Sequence, residues 1–526
     1  MIRPPGVAGR WALAGGALVW VVVAIARAVG PWAIPGAVVA GIAVILLTRR
    51  RWAVALAGLM AAAAISGMLS SAREAGVLET AIEAGPVELA GIALDDVREG
   101  ASGLWFLMEP THAKQQGVWV EWPGPPVLVS LRDEVDIAAR DVVVVRGVAV
   151  SRPGMARGDP YAGVIRRARI IYVAPSSGLL FIAGNAVRAR IHAGLVGGGA
   201  ERALLSGFLI GDVRELPAVS ADQLRRSGLS HFVAVSGSNV ALFLILWWVI
   251  VGPFAFGPRR RAIVGLVGLA IFIVVTRWEP SVLRAAGMAG LLLVARAIGV
   301  ALTPWVALGT SMAGLLLVSG ELSGDVGFQL SVAATMGVMA GADIFGGRLP
   351  RWIGAPLGAT VAAQIAVAPV LLAHFGAIPL LSPLANLAAA PLVVVSTAAG
   401  GIGVLSGVGV LTQVGVVAAK GVLMIAEIAS GWPQLGPLAA ILVIVGGMLL
   451  SYRRLRPLIV IGAAFALLVS VNGHRLEPPA AVFLDVGQGD AELIVGPSGE
   501  TILIDGGPDP VVILRKLDEY GIDRID

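Results

Sequence analysis

The sequence predicts a polytopic α-helical membrane protein with a small β domain inserted in it, and three observations predict that class. Hydrophobic residues make up 57% of the 526 residues and charged ones only 14%, with a mean hydropathy of +0.86, which is not the balance of a soluble globular enzyme. Apolar runs of about bilayer length recur from residue 11 to residue 471. Between residues 82 and 175 the runs become short and β-rich, punctuated by Gly, Pro and Asp, as in a small antiparallel barrel or sandwich, OB-like and five-stranded. The net charge of +5 fits an anionic partner, or only the Lys and Arg of cytoplasmic loops. There is no Cys, hence no disulfide framework and no thiolate metal site.

Segments 11–29, 32–47 and 52–69 are the first three spans, read as uncleaved. Arg49, Arg50 and Arg51 lie between the second and third, so the amino terminus is cytoplasmic and the third span exits outward. The β domain follows, with strand-like runs at 87–97, 104–109, 118–122, 127–131, 142–150 and 169–173. Arg166, Arg167 and Arg169, with Trp105, Phe106, Trp119 and Trp122, can hold single-stranded nucleic acid by charge and stacking. The plainer reading is core aromatics beside a solvated basic strand.

Segment 178–211 is amphipathic rather than spanning, interrupted by Arg188, Arg190, Glu201 and Arg202, and is expected to lie in the interface or to pack across the bundle. Ser220 and Gln223 form a capping box for a helix over 221–227. Gly228 is its left-handed stop. Span 232–251 then runs inward to Arg259, Arg260 and Arg261. Segments 262–275, 281–294, 305–317, 326–344 and 355–372 alternate across the membrane, with Arg348 and Arg351 inside. Segment 381–425 contributes an even number of crossings, 437–450 ends inside at Arg453, Arg454 and Arg456, and 458–471 exits. This topology puts the β domain and the carboxy-terminal segment on the outer face. In that segment 481–484, 491–495 and 501–504 read as strands and 511–520 as a helix.

Polar residues inside the spans carry the functional signal: Asn239, Arg284, Gln329, Gln364, His374, Asn386 and Glu427, with Arg277, Glu279 and Asp325 near span ends. In lipid they are costly, so they are expected to face the bundle interior, a pathway or each other. The structural alternative is interhelical hydrogen bonding between small-residue helices. Pro280, Pro369, Pro383 and Pro391 are expected to break or kink helices. His112, His192 and His474 read as surface residues. His231 sits between Gly228 and Ser236 at the edge of a span, where helix packing competes with a functional role. No acidic partner stands at ligand spacing, so no metal site is assigned. No phosphate-binding Gly-x-x-x-x-Gly-Lys-[Ser/Thr] loop occurs, which leaves any ATP-driven motor to another protein.

The stretches GLSHFVAVSGSNV (228–240), PSVLRAAGMAG (280–290), DVGFQLSVAATMG (325–337), HFGAIPLLSPLANLAAAPLV (374–393) and LDVGQGDAELIV…TILIDGG (484–507) resemble the ComEC family, the channel of bacterial natural transformation. The resemblance implies four regions. They are amino-terminal transmembrane helices (1–80), an outer OB-like β domain (81–177), a competence-type transmembrane channel domain (178–474) and an incomplete α/β metallo-β-lactamase-like segment (475–526). It implies uptake of single-stranded DNA across the bacterial cytoplasmic membrane, with membrane lipid, an outer DNA receptor and a cytoplasmic ATP-driven motor as partners. It carries motif positions onto Gly211, Asp212, Gly228, His231, Ser236, Gly237, Asn239, Arg284, Gln329, Ser331, Gln364, Asn386 and Pro391. Asn239 stands where many relatives have His. Asp485, Asp490 and Asp505 remain as the acidic positions of the lactamase-like opening strands, but no His follows His474, and three carboxylates alone do not make a two-metal centre. No catalytic residue, metal or cofactor is therefore assigned to this chain; a divalent metal enters only if that domain is completed elsewhere. The alternative function is a membrane-anchored metallo-hydrolase (a nuclease) whose catalytic part lies beyond residue 526. A small-molecule secondary transporter is a third, which the outer β domain opposes.

Overall fold

The structure, a computed structural model, describes residues 6–30, 33–48, 51–80, 82–100, 103–122, 124–133, 135–156, 159–233, 237–251, 257–341, 350–432, 434–435, 478–484, 491–507, 510–520, 522 and 524–526. Helices α1 (Val7–Val29), α2 (Ala33–Thr48) and α3 (Arg51–Glu79) pack together at the amino-terminal end. Strands β1 (Gly85–Ala93), β2 (Arg98–Gly100), β3 (Gly103–Gln115), β4 (Val118–Glu121), β5 (Val127–Leu131), β6 (Val142–Val150), β7 (Gly154–Ala156), β8 (Asp159–Tyr161) and β9 (Gly163–Ala174) form the inserted β unit. The main chain then turns helical again: α4 (Leu179–Leu195), α5 (Ala200–Ile210), α6 (Ala218–Arg226), α7 (Ser230–Val233), α8 (Gly237–Val251), α9 (Pro258–Val275), α10 (Pro280–Ala297), α11 (Pro304–Val318), α12 (Val326–Gly341) and α13 (Arg351–Phe375). The two-residue strand β10 (Ile378–Pro379) precedes α14 (Ser382–Ser406) and α15 (Gly409–Ser430), and pairs with β11 (Gln434–Leu435). The carboxy-terminal segment holds β12 (Ala480–Phe483), β13 (Glu492–Val495), β14 (Thr501–Ile504) and α16 (Pro510–Glu519).

Six helical stretches among the described residues are long and apolar enough to cross a bilayer: Val7–Val29, Ala55–Glu79, Pro280–Ala297, Ile353–Phe375, Ser382–Ser406 and Gly409–Ser430. This is a polytopic membrane protein. On α15, the large apolar Val410, Val417, Met424 and Ile428 are exposed, whereas the small Gly415, Ala418, Ala419, Ala426 and Ala429 are buried. With no water to exclude between spans, close backbone approach is the main source of attraction. A Cβ on Gly415 would meet the Gly400 backbone at 2.5 Å, and the Ser396 hydroxyl donates to the Gly415 carbonyl at 2.8 Å.

Segment 178–211, expected only as amphipathic, forms two helices, α4 and α5, with Gly197 and Gly199 in left-handed backbone between them. Ser220 does not cap α6. The helix begins three residues earlier, after Pro217, whose φ of −55° presets the turn, and no side chain caps it. Gly228 does take left-handed backbone, φ +76°. Pro280 and Pro383 sit in the first turns of α10 and α14, where a missing N–H costs nothing. Pro369 and Pro391 lie inside helices that continue through them. Segment 381–425 resolves into two helices, the expected even number. The expected spans 437–450 and 458–471 lie outside the described residues.

In the β unit, β1 pairs antiparallel with both β3 and β6. Strand β6 pairs with β9, β9 runs parallel to β5, and β5 pairs with β3, so the pairings return to β1. Leu89, Phe106, Met108, Val127, Val129, Val143, Val145 and Ile165 fill the interior. Gly91 lets β1 approach β3 at a register shift, where a Cβ would fall 2.3 Å from the Glu109 carbonyl oxygen. The same register builds an outer row. Trp119 on β4 stands opposite Lys114 on β3, Glu88 on β1 opposite Arg146 on β6, and Arg146 opposite Arg169 on β9. Lys114 bridges the two halves by pairing with Glu88 at 3.1 Å.

Candidate functional site

Three polar nodes hold most of the residues that the sequence singles out. The first closes the end of α5. A helix end leaves carbonyls unsatisfied, and here two neighbouring elements take them. Asn239 Nδ2 donates to the Phe208 carbonyl at 2.8 Å. Arg188 Nη1, from α4, donates to the Ile210 carbonyl at 2.8 Å and the Val275 carbonyl at 2.6 Å. Gly211 then turns the chain with φ +71°, a conformation that glycine adopts without steric cost. Asp212 accepts from Arg214 Nε at 3.0 Å and Arg214 Nη2 at 2.6 Å. Arg214 Nη1 reaches the Val97 carbonyl of the β unit at 3.0 Å. Burial opposes ionisation of Asp212, but hydrogen bonds from and the charge of Arg214 outweigh it and lower the carboxyl pKa. His192 Nδ1 lies 3.8 Å from Asp212 Oδ2, so His192 belongs to this node and is not the plain surface residue the sequence implies.

An ionic triad that the sequence reading did not assemble adjoins this node. Asp96, after β1, accepts from Arg277 Nε at 3.0 Å and Arg277 Nη2 at 2.6 Å. Arg188 Nη2 is 2.7 Å from Asp96 Oδ2, and the Ala139 amide donates to Asp96 Oδ1 at 3.0 Å. Arg277 is 7% exposed. Burial pushes the Asp96 carboxyl up, but the Arg188 charge and the Arg277 hydrogen bonds prevail and hold it far below the ordinary carboxylate range. The Arg188 guanidinium is shifted down by burial, against the opposing pull of Asp96. Arg277 and Trp278 both have left-handed backbone, φ +55° and +56°. That geometry costs about 1–2 kcal/mol for each non-glycine residue. The signal available in the sequence was Arg277 at a span end; its partner is 181 positions away.

The second node joins the α6–α7 turn to α13 and α14. His231 Nδ1 donates to the Gly228 carbonyl at 3.0 Å. A Cβ on Gly228 would fall 2.5 Å from Ser382 Cβ. The Ser382 hydroxyl donates to Gln364 Oε1 at 2.9 Å, and Gln364 Nε2 to the Pro379 carbonyl at 3.4 Å.

The third node surrounds Arg284 on α10, which is 5% exposed. Its Nε donates to Ser331 Oγ at 2.8 Å, and its carbonyl accepts from Ser311 Oγ at 3.3 Å. A Cβ on Gly237 would lie 3.3 Å from Arg284 Nη2, so α8 presents bare backbone to the guanidinium. No described carboxylate lies within ion-pair distance of Arg284.

The remaining residues sit apart. Gln329 Nε2 donates to the Ser323 carbonyl at 3.2 Å. Asn386 Oδ1 is buried without a hydrogen-bond partner. Pro391 is internal to α14. His374 and Glu427 are exposed in the last turns of α13 and α15, not turned to the bundle interior as expected, because a helix end reaches the interface where a polar group stays hydrated. Ser236, Asp485 and Asp490 lie outside the described residues. On the β unit, Arg166, Arg167 and Arg169 are exposed on β9 and Trp119 is exposed on β4, whereas Trp105 is half-buried opposite Arg98 and Ser130. Asp505, φ +56°, uses Oδ1 to accept from the Gly506 and Gly507 amides. Among the described residues no three His, Cys, Asp or Glu side chains gather as a metal site.

Residues 208–457 match the competence protein family. The helical unit is thus similar to that family over just under half of the chain. Over 182 residues it is 27% identical to ComE operon protein 3 of Bacillus subtilis (strain 168), an alignment that covers 34% of this chain and 23% of that relative. No solved structure matches the chain significantly. The family match begins at Phe208, whose carbonyl Asn239 caps; it takes in the second and third nodes and, of the first, the end of α5, Gly211, Asp212, Arg214 and Asn239, but not Arg188 or His192.

Proposed function

We propose that this chain takes up single-stranded DNA across the bacterial cytoplasmic membrane during natural transformation, as the channel itself. The observation that carries the reading is the seating of a β unit with exposed Arg and Trp on one end of the competence helices. Arg277 and Arg214 hold that unit at the α9–α10 turn and the α5–α6 loop. Arg259, Arg260 and Arg261 start α9, about 27 Å from that turn at 1.5 Å per residue over its 18 residues. By the positive-inside rule those arginines are cytoplasmic, which puts the β unit outside, where DNA arrives. The outer row Trp119, Lys114, Arg146 and Arg169 then offers stacking and phosphate contacts.

The finer domain assignments belong to the same proposal. The ring of pairings β1–β6–β9–β5–β3 with one parallel ladder supports an OB-type barrel. The three-stranded sheet β12–β13–β14 followed by α16 supports the opening of a metallo-β-lactamase-like domain, with Asp505 at the turn. Asn239, Arg284, Gln329 and Gln364 would line or shape a hydrated path for a polyanion. The outer DNA receptor, the cytoplasmic motor and the lipid contacts are partners under this reading.

The test is a clean deletion in the source organism. Transformation is expected to be abolished while surface-bound DNA persists. Normal transformation in a strain with no second homologue would overturn the proposal. A strain that transforms normally but no longer degrades incoming DNA would instead favour the anchored hydrolase.

A further inference from the structure

We infer that Asp96 is a positioning residue for DNA transfer: through Arg277 and Arg188 it seats the β unit on the mouth of the helical unit. The inference rests on the channel reading for its function, but the seating itself stands on geometry. Asp96 belongs to the β unit, Arg188 to α4 and Arg277 to the α9–α10 turn. All hydrogen bonds from Arg277 to Asp96 are 3.0 Å or shorter. The chain holds Arg277 and Trp278 in left-handed backbone to make them, and Trp278 stacks on Phe181 of α4 with ring centroids 5.6 Å apart. Arg140, in the β-unit loop that supplies the Ala139 amide, lies over the same Phe181 ring at 5.9 Å.

The contact chain continues to the channel. Arg188 also holds the Ile210 carbonyl, and Asn239, in the first turn of α8, holds the Phe208 carbonyl two residues earlier. On the other side Arg214 ties the Asp212 turn to Val97, next to Asp96. The end of α5 is thus held by the β unit from one direction and by α8 from the other. A strand released from the β unit meets α8 in a fixed register only while Asp96 keeps that unit down. Removing the carboxylate leaves two buried guanidiniums facing each other without the group that bridges them.

The chain has no Cys, so cross-linking in the full-length protein is clean. Arg140→Cys with Phe181→Cys removes the ring contacts but leaves the Asp96–Arg277–Arg188 triad, so that, bridged by a short bismaleimide in membranes, the pair reports the seating that the triad holds. Asp96→Ala is expected to lower the cross-link yield at least fivefold and transformation at least tenfold, with unchanged membrane protein level and surface DNA retention. Closing the bridge in the Asp96→Ala chain is expected to restore transformation, which no general folding defect would allow. Unchanged cross-linking in the Asp96→Ala chain would overturn the inference. So would loss of transformation on closing the bridge in the Asp96-intact chain, a measurement that does not depend on how the variant folds. If cross-linking falls but deletion of the whole chain leaves transformation normal, the seating stands and the channel reading fails.

Discussion

Asp96 and Arg284 are both buried charges, and their surroundings predict opposite responses. Asp96 has two arginines against it, and the nearby Asp141 and Asp212 are engaged elsewhere, with backbone amides and with Arg214. Its lowered pKa makes the carboxylate's contribution to seating fully present above the ordinary value near 4, and lost only as pH falls through the depressed folded value. Burial raises Asp141, whose ionisation therefore weakens the folded state as pH rises; moderate acidification removes that cost. The cross-link yield between positions 140 and 181 should therefore be flat from pH 7 down to about 5, and a midpoint inside that window would contradict it. Asp96→Ala should cost about 3–5 kcal/mol at neutral pH, because it strands buried cations. Arg284 has no described carboxylate beside it, so Arg284→Met should leave the melting temperature in detergent equal or higher. Uptake should nonetheless fall at least tenfold; if stability and uptake fall together, Arg284 serves packing alone. The sequence made Arg284 conspicuous, because a guanidinium inside an apolar run has no cheap explanation. It could not reveal Asp96, which stands in an Asp-Asp turn of a β domain where carboxylates are ordinary.

At the scale of elements, hydrophobic runs and punctuation exposed most of the helices, and the local rules failed where two signals competed. The Ser220 capping box yielded to Pro217, whose ring fixes φ and starts α6 earlier. The left-handed Gly197 and Gly199 separate α4 from α5, a break that amphipathicity alone does not place. Gly228 was legible because its left-handed backbone is a local property; its tight fit against Ser382 on α14 was not. Both features make Gly228→Val a severe change. It adds left-handed strain of about 1–2 kcal/mol and pushes α14 away from the turn that carries His231. The expected result is a thermal midpoint several degrees lower in detergent, with greater protease sensitivity at the α6–α7 turn. An unchanged midpoint would mean that the turn and α14 do not pack as described.

At the scale of the whole molecule, the proposed channel requires a β unit and a helical unit to act on one polyanion, and the register of the β unit makes this measurable. The sequence placed Arg166, Arg167 and Arg169 together because they are consecutive or nearly so. It could not show that Arg146 and Lys114 join Arg169 and Trp119 in one row, because strand order is set by pairings distant in sequence. Glu88 sits in that row and is ionised more readily than usual, through hydrogen bonds from Arg146 and Lys114. It therefore neutralises part of the positive charge until phosphates compete for the same donors. Three consequences follow from treating the row as the DNA contact. Arg146→Ala with Arg169→Ala in the full-length protein should weaken single-stranded DNA binding and flatten its salt dependence. The loss of two phosphate contacts lowers the slope of log affinity against log salt by about 1.4. Glu88→Gln should act the other way, releasing both cations and tightening binding at low salt. Trp119→Ala should reduce affinity by the stacking contribution, about 1–3 kcal/mol, with little change in the salt slope. Fluorescence anisotropy of a labelled oligonucleotide across a salt series separates the three. If the double Arg variant keeps the slope of the unaltered protein, DNA does not run along this row, and the exposed Arg166 and Arg167 become the face to test.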